Sequence, residues 1–386
     1  MFRHPVRLGA GFALIVSLVL VTCGSPTQAN ASSEIRIGVI TTLSGALADA
    51  FGTPTVDAAR LAVQAVNGAG GLDVGGRKQT VTLLMEDDQD NAQVATSAAQ
   101  KLINQEGVAA LIGPSISRDA IPVAGVAENA RIPMISPDST NPATTAGKKY
   151  VFRAAFIDPF QGRVIARFAL TDLHARKAAV LYDIASVYNK GISDVFKHVF
   201  TGGGGRVVAF ESYFTGDKNF RPQLARIKRS GATVLFLPNY ADDVPVQARQ
   251  ARQAGIHATL LGADAWSTLS PADLVHLDGA FFSSSWNPNL RSAQSRAFVR
   301  AFRRAYNREP NDVAALTYDC VGLLFHAMQS QGKADPESIR SGLAHTTSYA
   351  GVTGRIGYHG SGDPVKSAVI SEIKDGKIVL YKQVEP

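Results

Sequence analysis

Cysteine is scarce in this chain of 386 residues, which contains only Cys23 and Cys320. Cys320 lies in an apolar helical pattern, which is typical of a buried structural thiol rather than a reactive one. Neither the cysteines nor the 8 histidines show the spacing of metal ligands. We therefore expect no metal site and no cofactor.

Sequence signatures of nucleotide and hydrolase chemistry are also missing. The run Gly202-Gly203-Gly204-Gly205 precedes a strand pattern, whereas a phosphate-binding loop follows a strand and opens a helix. It is better interpreted as a turn that ends a helix. We find no Gly-x-Ser-x-Gly motif and no ordered Ser, His and Asp set, so an enzyme is the disfavoured alternative.

The basic residues do not form a cluster, although the net charge is +7. Examples such as Arg249, Arg252, Arg303 and Arg304 are spread over separate helical patterns without interleaved aromatic residues. This distribution is typical of a solvated surface, and it argues against nucleic-acid binding.

Residues 1–33 are expected to be an export signal and a tether rather than part of the fold. Arg3 and Arg7 precede an apolar stretch that is too short to span a bilayer comfortably. Leu20-Val21-Thr22-Cys23 resembles a bacterial lipobox, which predicts lipidation of Cys23, although Thr22 departs from the usual small residue. Ala29-Asn30-Ala31 offers an alternative cleavage site that gives a free protein.

Strand and helix patterns alternate from residue 35 onwards, and the chain is long enough for two cores. Such alternation predicts parallel sheets built from βαβ units, here two doubly wound lobes. The strand patterns cover residues 35–40, 81–85, 108–112 and 132–135, then 178–182, 207–210, 233–237 and 259–261. Helical patterns over residues 293–306, 313–329 and 336–344 precede a hairpin at 370–373 and 378–381.

Short polar motifs follow the strand patterns, where open α/β sheets bind ligands. The first half contributes the hydroxyls of Ser117 and Thr140, which suit a carboxylate. The predicted second lobe contributes Tyr188, Tyr240 and Asp264, and a buried carboxylate suits an ammonium partner. The residue types therefore predict a receptor for a free amino acid, divided between the two lobes.

Each of these residues also has a structural interpretation. Ser117, Thr140 and Asp264 are equally typical of helix caps and turns, and the two tyrosines are also typical of an amphipathic surface. Phe51, in a loop of small residues after the first strand, either covers an apolar ligand side chain or packs within its own lobe.

From Ile35 to the C-terminus the chain resembles the type I periplasmic-binding proteins of branched-chain amino-acid ABC transporters, the Leu/Ile/Val-binding group. The resemblance rests on five stretches in this order, namely Ile37-Gly38-Val39-Ile40-Thr41-Thr42-Leu43-Ser44-Gly45, Val66-Asn67-Gly68-Ala69-Gly70-Gly71, Asp87-Asp88, Ile112-Gly113-Pro114 and Ile135-Ser136-Pro137.

This resemblance implies a role for each candidate residue. Ser117 and Thr140 match the residues that hold the ligand carboxylate, and the backbone carbonyl of Asp138 and the side chain of Asp264 match the ammonium site. Tyr188, Tyr240 and Phe51 match aromatic residues around the ligand. The family acid is often Glu and the aromatic is often Tyr, so the shorter Asp264 and the hydroxyl-free Phe51 imply a different pocket size or polarity.

The resemblance also implies a Venus-flytrap α/β fold with three hinge crossings, near residues 153–156, 282–285 and 365–369. Lobe 1 is expected at 34–154 plus 285–366, and lobe 2 at 155–284 plus 367–386. The partners would be an amino acid and a permease with its ATPase, in the periplasm or on the outer face of the bacterial cytoplasmic membrane. The alternatives are another ligand, namely an amide, a short peptide or an aromatic carboxylate, or a role as an amino-acid sensor subunit.

Overall fold

The computed structural model describes residues 34–386. The predicted signal segment and Cys23 lie outside these residues. Sixteen strands occur in this part of the chain. They are β1 (Glu34–Thr41), β2 (Leu72–Val74), β3 (Arg77–Asp87), β4 (Ala110–Ile112), β5 (Met134–Ser136), β6 (Val151–Arg153), β7 (Lys177–Asp183), β8 (Arg206–Tyr213), β9 (Val234–Phe236), β10 (Thr259–Gly262), β11 (Phe281–Ser284), β12 (Tyr349–Gly351), β13 (Gly354–Tyr358), β14 (Pro364–Val365), β15 (Ala368–Lys374) and β16 (Lys377–Val384).

Ten α-helices connect or cover these strands in the same residues. They are α1 (Thr53–Gly68), α2 (Ala92–Asn104), α3 (Ser117–Ala130), α4 (Asp158–Thr171), α5 (Val187–Gly202), α6 (Arg221–Ser230), α7 (Val244–Gln253), α8 (Ala293–Tyr306), α9 (Asp312–Gln331) and α10 (Pro336–Ala344). None of the helices within residues 34–386 combines the length and the apolar composition that a membrane span requires.

The strands form two separate sheets and a small third one. The first sheet has the order β2-β3-β1-β4-β5-β6, and its neighbours are parallel except β2 and β3. The second has the order β16-β15-β11-β10-β9-β7-β8, in which the hairpin β15–β16 is antiparallel. Strands β12, β13 and β14 form the third sheet. The prediction of two α/β lobes with mainly parallel sheets is confirmed.

The chain passes between the two large sheets three times. It leaves the first sheet after β6 and enters the second with α4, which packs on β11 and β15. After β11 it returns to the side of the first sheet, where α9 packs on α1. A last passage between β14 and β15 carries the C-terminal hairpin to the second sheet. These passages bring residues distant in sequence to the facing edges of the two sheets.

Two features of the sequence are seen directly in the packing. Cys320 is fully buried in α9, as expected. Helix α5 ends at Gly202, and Gly204 has a φ of +85°, which a glycine adopts at little cost, so the glycine run is the predicted helix-ending turn.

Candidate functional site

A small cavity lies between the loops that follow the strands of the two sheets. Segments that follow strands of the first sheet line it with Phe51, Ser115, Ser117 and Asp138, and segments that follow strands of the second sheet line it with Tyr188, Tyr240, Asp264 and Ala265. Six of the seven predicted ligand-binding residues are therefore brought together, and Thr140 is the exception. The enclosed volume is about 10 Å³, which is room for about one water molecule.

The loop after β4 delivers two serine hydroxyls to this cavity. Gly113 has a φ of +89°, and a Cβ at this position would lie 2.1 Å from the carbonyl oxygen of Ile40, so only glycine allows the loop to pass so close to β1. Ser117 is the first residue of α3, and its Oγ lies 3.0 Å from Oγ of Ser139. Oγ of Ser115 is buried and has no hydrogen-bond partner within residues 34–386.

Thr140 is almost completely buried close to this loop, but it does not line the cavity. Its carbonyl oxygen accepts a hydrogen bond from the backbone N–H of Asp158 at 2.9 Å, and its hydroxyl is close enough to the Asp158 carboxyl group to favour the ionised form of that group. Its predicted contact with a ligand carboxylate stays a prediction.

Asp264 begins a 3₁₀ turn directly after β10 and is only 2% exposed. Its Oδ1 accepts hydrogen bonds from the hydroxyl of Tyr188 and from Nε2 of Gln161, the latter at 3.0 Å. No ion pair within residues 34–386 includes this carboxylate. Burial raises the pKa of Asp264 to about 6, while the hydrogen bonds from Tyr188 and Gln161 act in the opposite direction.

Three aromatic rings form one wall of the cavity. The rings of Tyr188 and Tyr240 are 5.3 Å apart between centroids with an interplanar angle of 33°, and Phe51 meets Tyr240 edge-on at 6.0 Å. The guanidinium of Arg118 lies 5.4 Å from the centroid of the Tyr240 ring. Phe51 thus packs against a ring from the other half of the chain rather than only within its own half.

Asp138 is the second carboxylate in the lining and is 6% exposed. Its Oδ1 is buried without a hydrogen-bond partner. Burial, together with the negative charges of Asp264 and Asp312, raises the pKa of the Asp138 carboxyl well above its usual range. The prediction assigned its backbone carbonyl to the ammonium site. In the structure its side chain is also a candidate, because Asp138 lines the cavity with a buried and unpartnered Oδ1 within residues 34–386.

Sequence reasoning did not select several residues that shape this region. Ser115 lies in the same motif as Ser117, so a signal existed, but the motif does not reveal which hydroxyl faces the cavity. Gln161, Asp158 and Asp312 gave no local signal, because each belongs to a helix whose buried face is decided by distant strands. Within the described residues, no three His, Cys, Asp or Glu side chains form a group suited to a metal ion.

Asp158 and Asp312 are two further buried carboxyl groups close to Asp264. Both are about 1% exposed, and Oδ2 of Asp312 accepts a hydrogen bond from the backbone N–H of Ser285 at 2.9 Å. Burial raises the pKa of Asp158 to about 7 and that of Asp312 to about 8. The negative charge of Asp264 also contributes to raising the pKa of both groups.

Comparison with known proteins places this architecture in a family. Residues 34–377 match the family described as "Periplasmic binding protein". The leucine-, isoleucine-, valine-, threonine-, and alanine-binding protein of Pseudomonas aeruginosa is 27% identical over 348 residues, which cover 89% of this chain and 91% of that protein.

Solved structures show the same likeness. The branched-chain amino acid transporter substrate binding protein LivJ of Streptococcus pneumoniae, in complex with isoleucine, has a TM-score of 0.85 and 31% identity, covering 92% of this chain and 100% of LivJ. The leucine binding protein LivK of Thermotoga maritima has a TM-score of 0.84 and 29% identity, covering 91% and 99%. With a family match over most of its length, this chain belongs to the periplasmic binding protein family.

Proposed function

We propose that this protein is the solute-binding subunit of an ABC importer and that it binds a free α-amino acid between its two lobes. The observation that carries this proposal is the buried carboxylate of Asp264, which lines the cavity and has no cationic partner within residues 34–386. Burying an unpaired charge is costly. The ammonium group of a ligand would supply the missing partner.

The opposite side of the cavity is suited to the ligand carboxylate. Ser117 begins a helix of 14 residues, whose first N–H groups and dipole favour an anion. The unpartnered hydroxyl of Ser115 adds a donor, and Thr140 is proposed as a further one once the ligand is bound. Acceptors for the ammonium and donors for the carboxylate thus come from different halves of the chain.

We propose that ligand binding closes the two halves about the three chain passages. The lobe boundaries remain as predicted, with lobe 1 at residues 34–154 plus 285–366 and lobe 2 at 155–284 plus 367–386. The enclosed volume of about 10 Å³ is too small to admit an amino acid, so the ligand must enter while the lobes are apart. Only the closed form satisfies both charged ends of a zwitterion, which favours closure when ligand is present.

The names of the similar proteins support an amino-acid ligand of the branched-chain or another aliphatic type, and members of this family are binding proteins. Family membership implies an extracytoplasmic location. We propose in addition that Cys23 is lipidated and holds the receptor near its permease and ATPase. Cell fractionation tests the anchor, because Cys23→Ala should move the protein from the membrane fraction to the soluble one.

A thermal-shift screen tests the proposed ligand class. The chain from residue 34 onwards is unfolded and refolded to remove carried-over ligand, then mixed with each common amino acid, with amides and with aromatic carboxylates. A ligand at about 100 times its dissociation constant adds about 2.7 kcal/mol of stability. Stabilisation by α-amino acids supports the proposal, whereas stabilisation by aromatic carboxylates or amides alone overturns it.

The role of Asp264 is tested by its replacement with the neutral Asn. Asp264→Asn should weaken binding of the amino acid found in the screen by at least about a hundredfold, because a buried ammonium loses its counter-charge at a cost of about 3–5 kcal/mol. Asp194→Asn is a matched control, since Asp194 is an exposed acid that pairs with Lys190 on the surface of α5. Equal affinity in the two variants would show that the assigned site is wrong.

A further inference from the structure

The lining of the cavity contains two carboxylates and no basic side chain. Asp138 and Asp264 come from different halves of the chain, and the other lining residues are aromatic, hydroxylic or small. Both acids are more than nine-tenths buried. One ammonium group balances one of these charges, so a neutral zwitterion would leave the second carboxyl group without a partner of opposite charge.

Basic side chains near the cavity have partners elsewhere. Arg118 forms an ion pair with Asp90, with its Nε 2.7 Å from Oδ1 of that residue. Arg153 donates from Nε to Oδ1 of Asp363 at 2.7 Å. These cations are therefore balanced by acids outside the lining, and neither neutralises Asp138.

Lys366 is the remaining buried cation of this region. Its Nζ donates to the carbonyl oxygen of Thr353 at 3.0 Å. Its charge influences Asp319 and Asp312 rather than Asp138. The lining therefore holds more carboxyl groups than there are cations within residues 34–386 to neutralise them.

The surroundings of the Asp138 side chain also favour a bound cation. Its Oδ1 is inaccessible to solvent and has no hydrogen-bond donor within residues 34–386. A buried polar group without a partner destabilises the protein, and a buried charged group does so more strongly. The aromatic wall adds to this preference, because the faces of Tyr188, Tyr240 and Phe51 attract a cation and also cover a methylene chain.

We propose that the preferred ligand is an α-amino acid with a second cationic group on a short side chain, with Asp264 binding the α-ammonium and the carboxylate of Asp138 binding the side-chain cation. This inference rests on the proposed function: it keeps the α-amino acid as ligand and replaces the aliphatic side chain suggested by the similar proteins with a cationic one. The net charge of the ligand, +1 rather than zero, is its distinguishing property.

Isosteric ligand pairs test the charge preference without any substitution. Ornithine and norleucine differ by an ammonium in place of a terminal methyl group, as do 2,4-diaminobutyrate and norvaline. Calorimetric titration of the refolded protein at pH 7 should give at least about tenfold tighter binding for the cationic member of one pair, since close charge pairs contribute about 1.5 kcal/mol or more.

Substitution of Asp138 assigns the preference to its side chain. Asp138→Asn should reduce the ratio of cationic to neutral affinity within each pair to about one, and Asp138→Ser serves as a second variant if the Asn variant misfolds. Asp49→Asn is the matched control, because Asp49 is exposed and lies two residues from Phe51, so it removes a nearby charge outside the cavity. This control should keep the preference.

The outcomes separate the two proposals. Tighter binding of norleucine or norvaline, or a cation preference that survives in both Asp138 variants, overturns the inference and leaves the amino-acid function standing. If none of the four α-amino acids binds, and none of the common ones stabilises the protein, the proposed function itself fails.

Discussion

Ser115 follows β4 and Ser136 ends the neighbouring strand β5, yet their hydroxyls have different surroundings. Oγ of Ser136 donates to the carbonyl oxygen of Pro114 at 2.6 Å and accepts from the backbone N–H of Ser139 at 3.2 Å. Oγ of Ser115 faces the cavity without a partner. The first hydroxyl therefore stabilises the fold, and the second is available to a ligand.

Alanine substitutions distinguish these two roles. Ser136→Ala should lower the free energy of unfolding by about 1–2 kcal/mol, because it leaves a buried N–H and a buried carbonyl unpaired. Ser115→Ala should leave the stability of the ligand-free protein almost unchanged and weaken ligand binding about tenfold. Thermal unfolding and calorimetric titration of both variants measure the two effects. A reversed pattern would contradict the assignment.

Only some of the residues that form the site could be predicted from the sequence. Asp264 and Ser117 follow strand patterns directly, so their positions at the sheet edges were accessible from the sequence. The side chain of Asp138 and the hydroxyl of Ser115 were not, because the direction of a loop side chain depends on backbone features such as the positive φ of Gly113. Gln161 contacts Asp264 across 103 positions of sequence, a separation that no local pattern encodes.

At the scale of elements, β6 ends in a buried arginine that organises the loop after β5. The Nη2 group of Arg153 donates to the carbonyl oxygen of Asn141 at 2.9 Å and to Oγ1 of Thr145 at 2.7 Å, and Nη1 donates to the carbonyl oxygen of Ser139. This loop carries Asp138 into the cavity. The geometry of the site therefore depends on a guanidinium that does not touch the cavity.

Arg153→Lys should destabilise the protein although it preserves the charge. An ammonium on a flexible stem cannot replace the planar fork of the guanidinium, so we expect a loss of about 2–4 kcal/mol and weaker ligand binding. Arg303→Lys is the control, because Arg303 forms an exposed pair with Glu309 and should change little. Chemical denaturation measures both variants, and equal stabilities would refute this role of Arg153.

Element boundaries were predicted best where caps mark them. Helices α8 and α10 span the predicted residues, and each follows a capping side chain, Ser292 or Asp335, that accepts a backbone N–H. Strands β6 and β11 were missed and overlap two predicted hinge crossings, β6 only by its last residue Arg153. Strand β2 and the third sheet were missed as well. These strands have only 2 to 5 residues and form through pairing with distant partners, which leaves little periodicity to detect.

At the scale of the whole molecule, the buried acids between the sheets link stability to pH. Burial and the charge of Asp264 raise the pKa of Asp158 from an ordinary value of 3.8 to about 7 in the folded protein, while the Thr140 hydroxyl and Arg153 act in the opposite direction. The folded protein therefore binds more protons than the unfolded chain between these values. Its stability is highest on the acid side of this window and falls as the pH rises.

The unfolding temperature of the ligand-free protein should therefore decrease between pH 5 and pH 7. Asp158→Asn should flatten this decrease, because one group contributes at most about 1.4 kcal/mol per pH unit. Scanning calorimetry at half-unit steps measures the slope, with Asp194→Asn as the surface control. If the unfolding temperature of Asp158→Asn decreased with pH as steeply as that of the wild type, Asp158 would not have the raised pKa that we assign to it.

The central claim is that a ligand ammonium pairs with the buried carboxylate of Asp264. The most direct measurement compares the calorimetric affinity of the identified amino acid with that of its N-acetyl derivative, which keeps the carboxylate and side chain but lacks the α-ammonium charge. We expect the derivative to bind at least about a hundredfold more weakly to the wild type and the difference to shrink in Asp264→Asn. Equal binding of the two ligands to the wild-type protein would contradict the account.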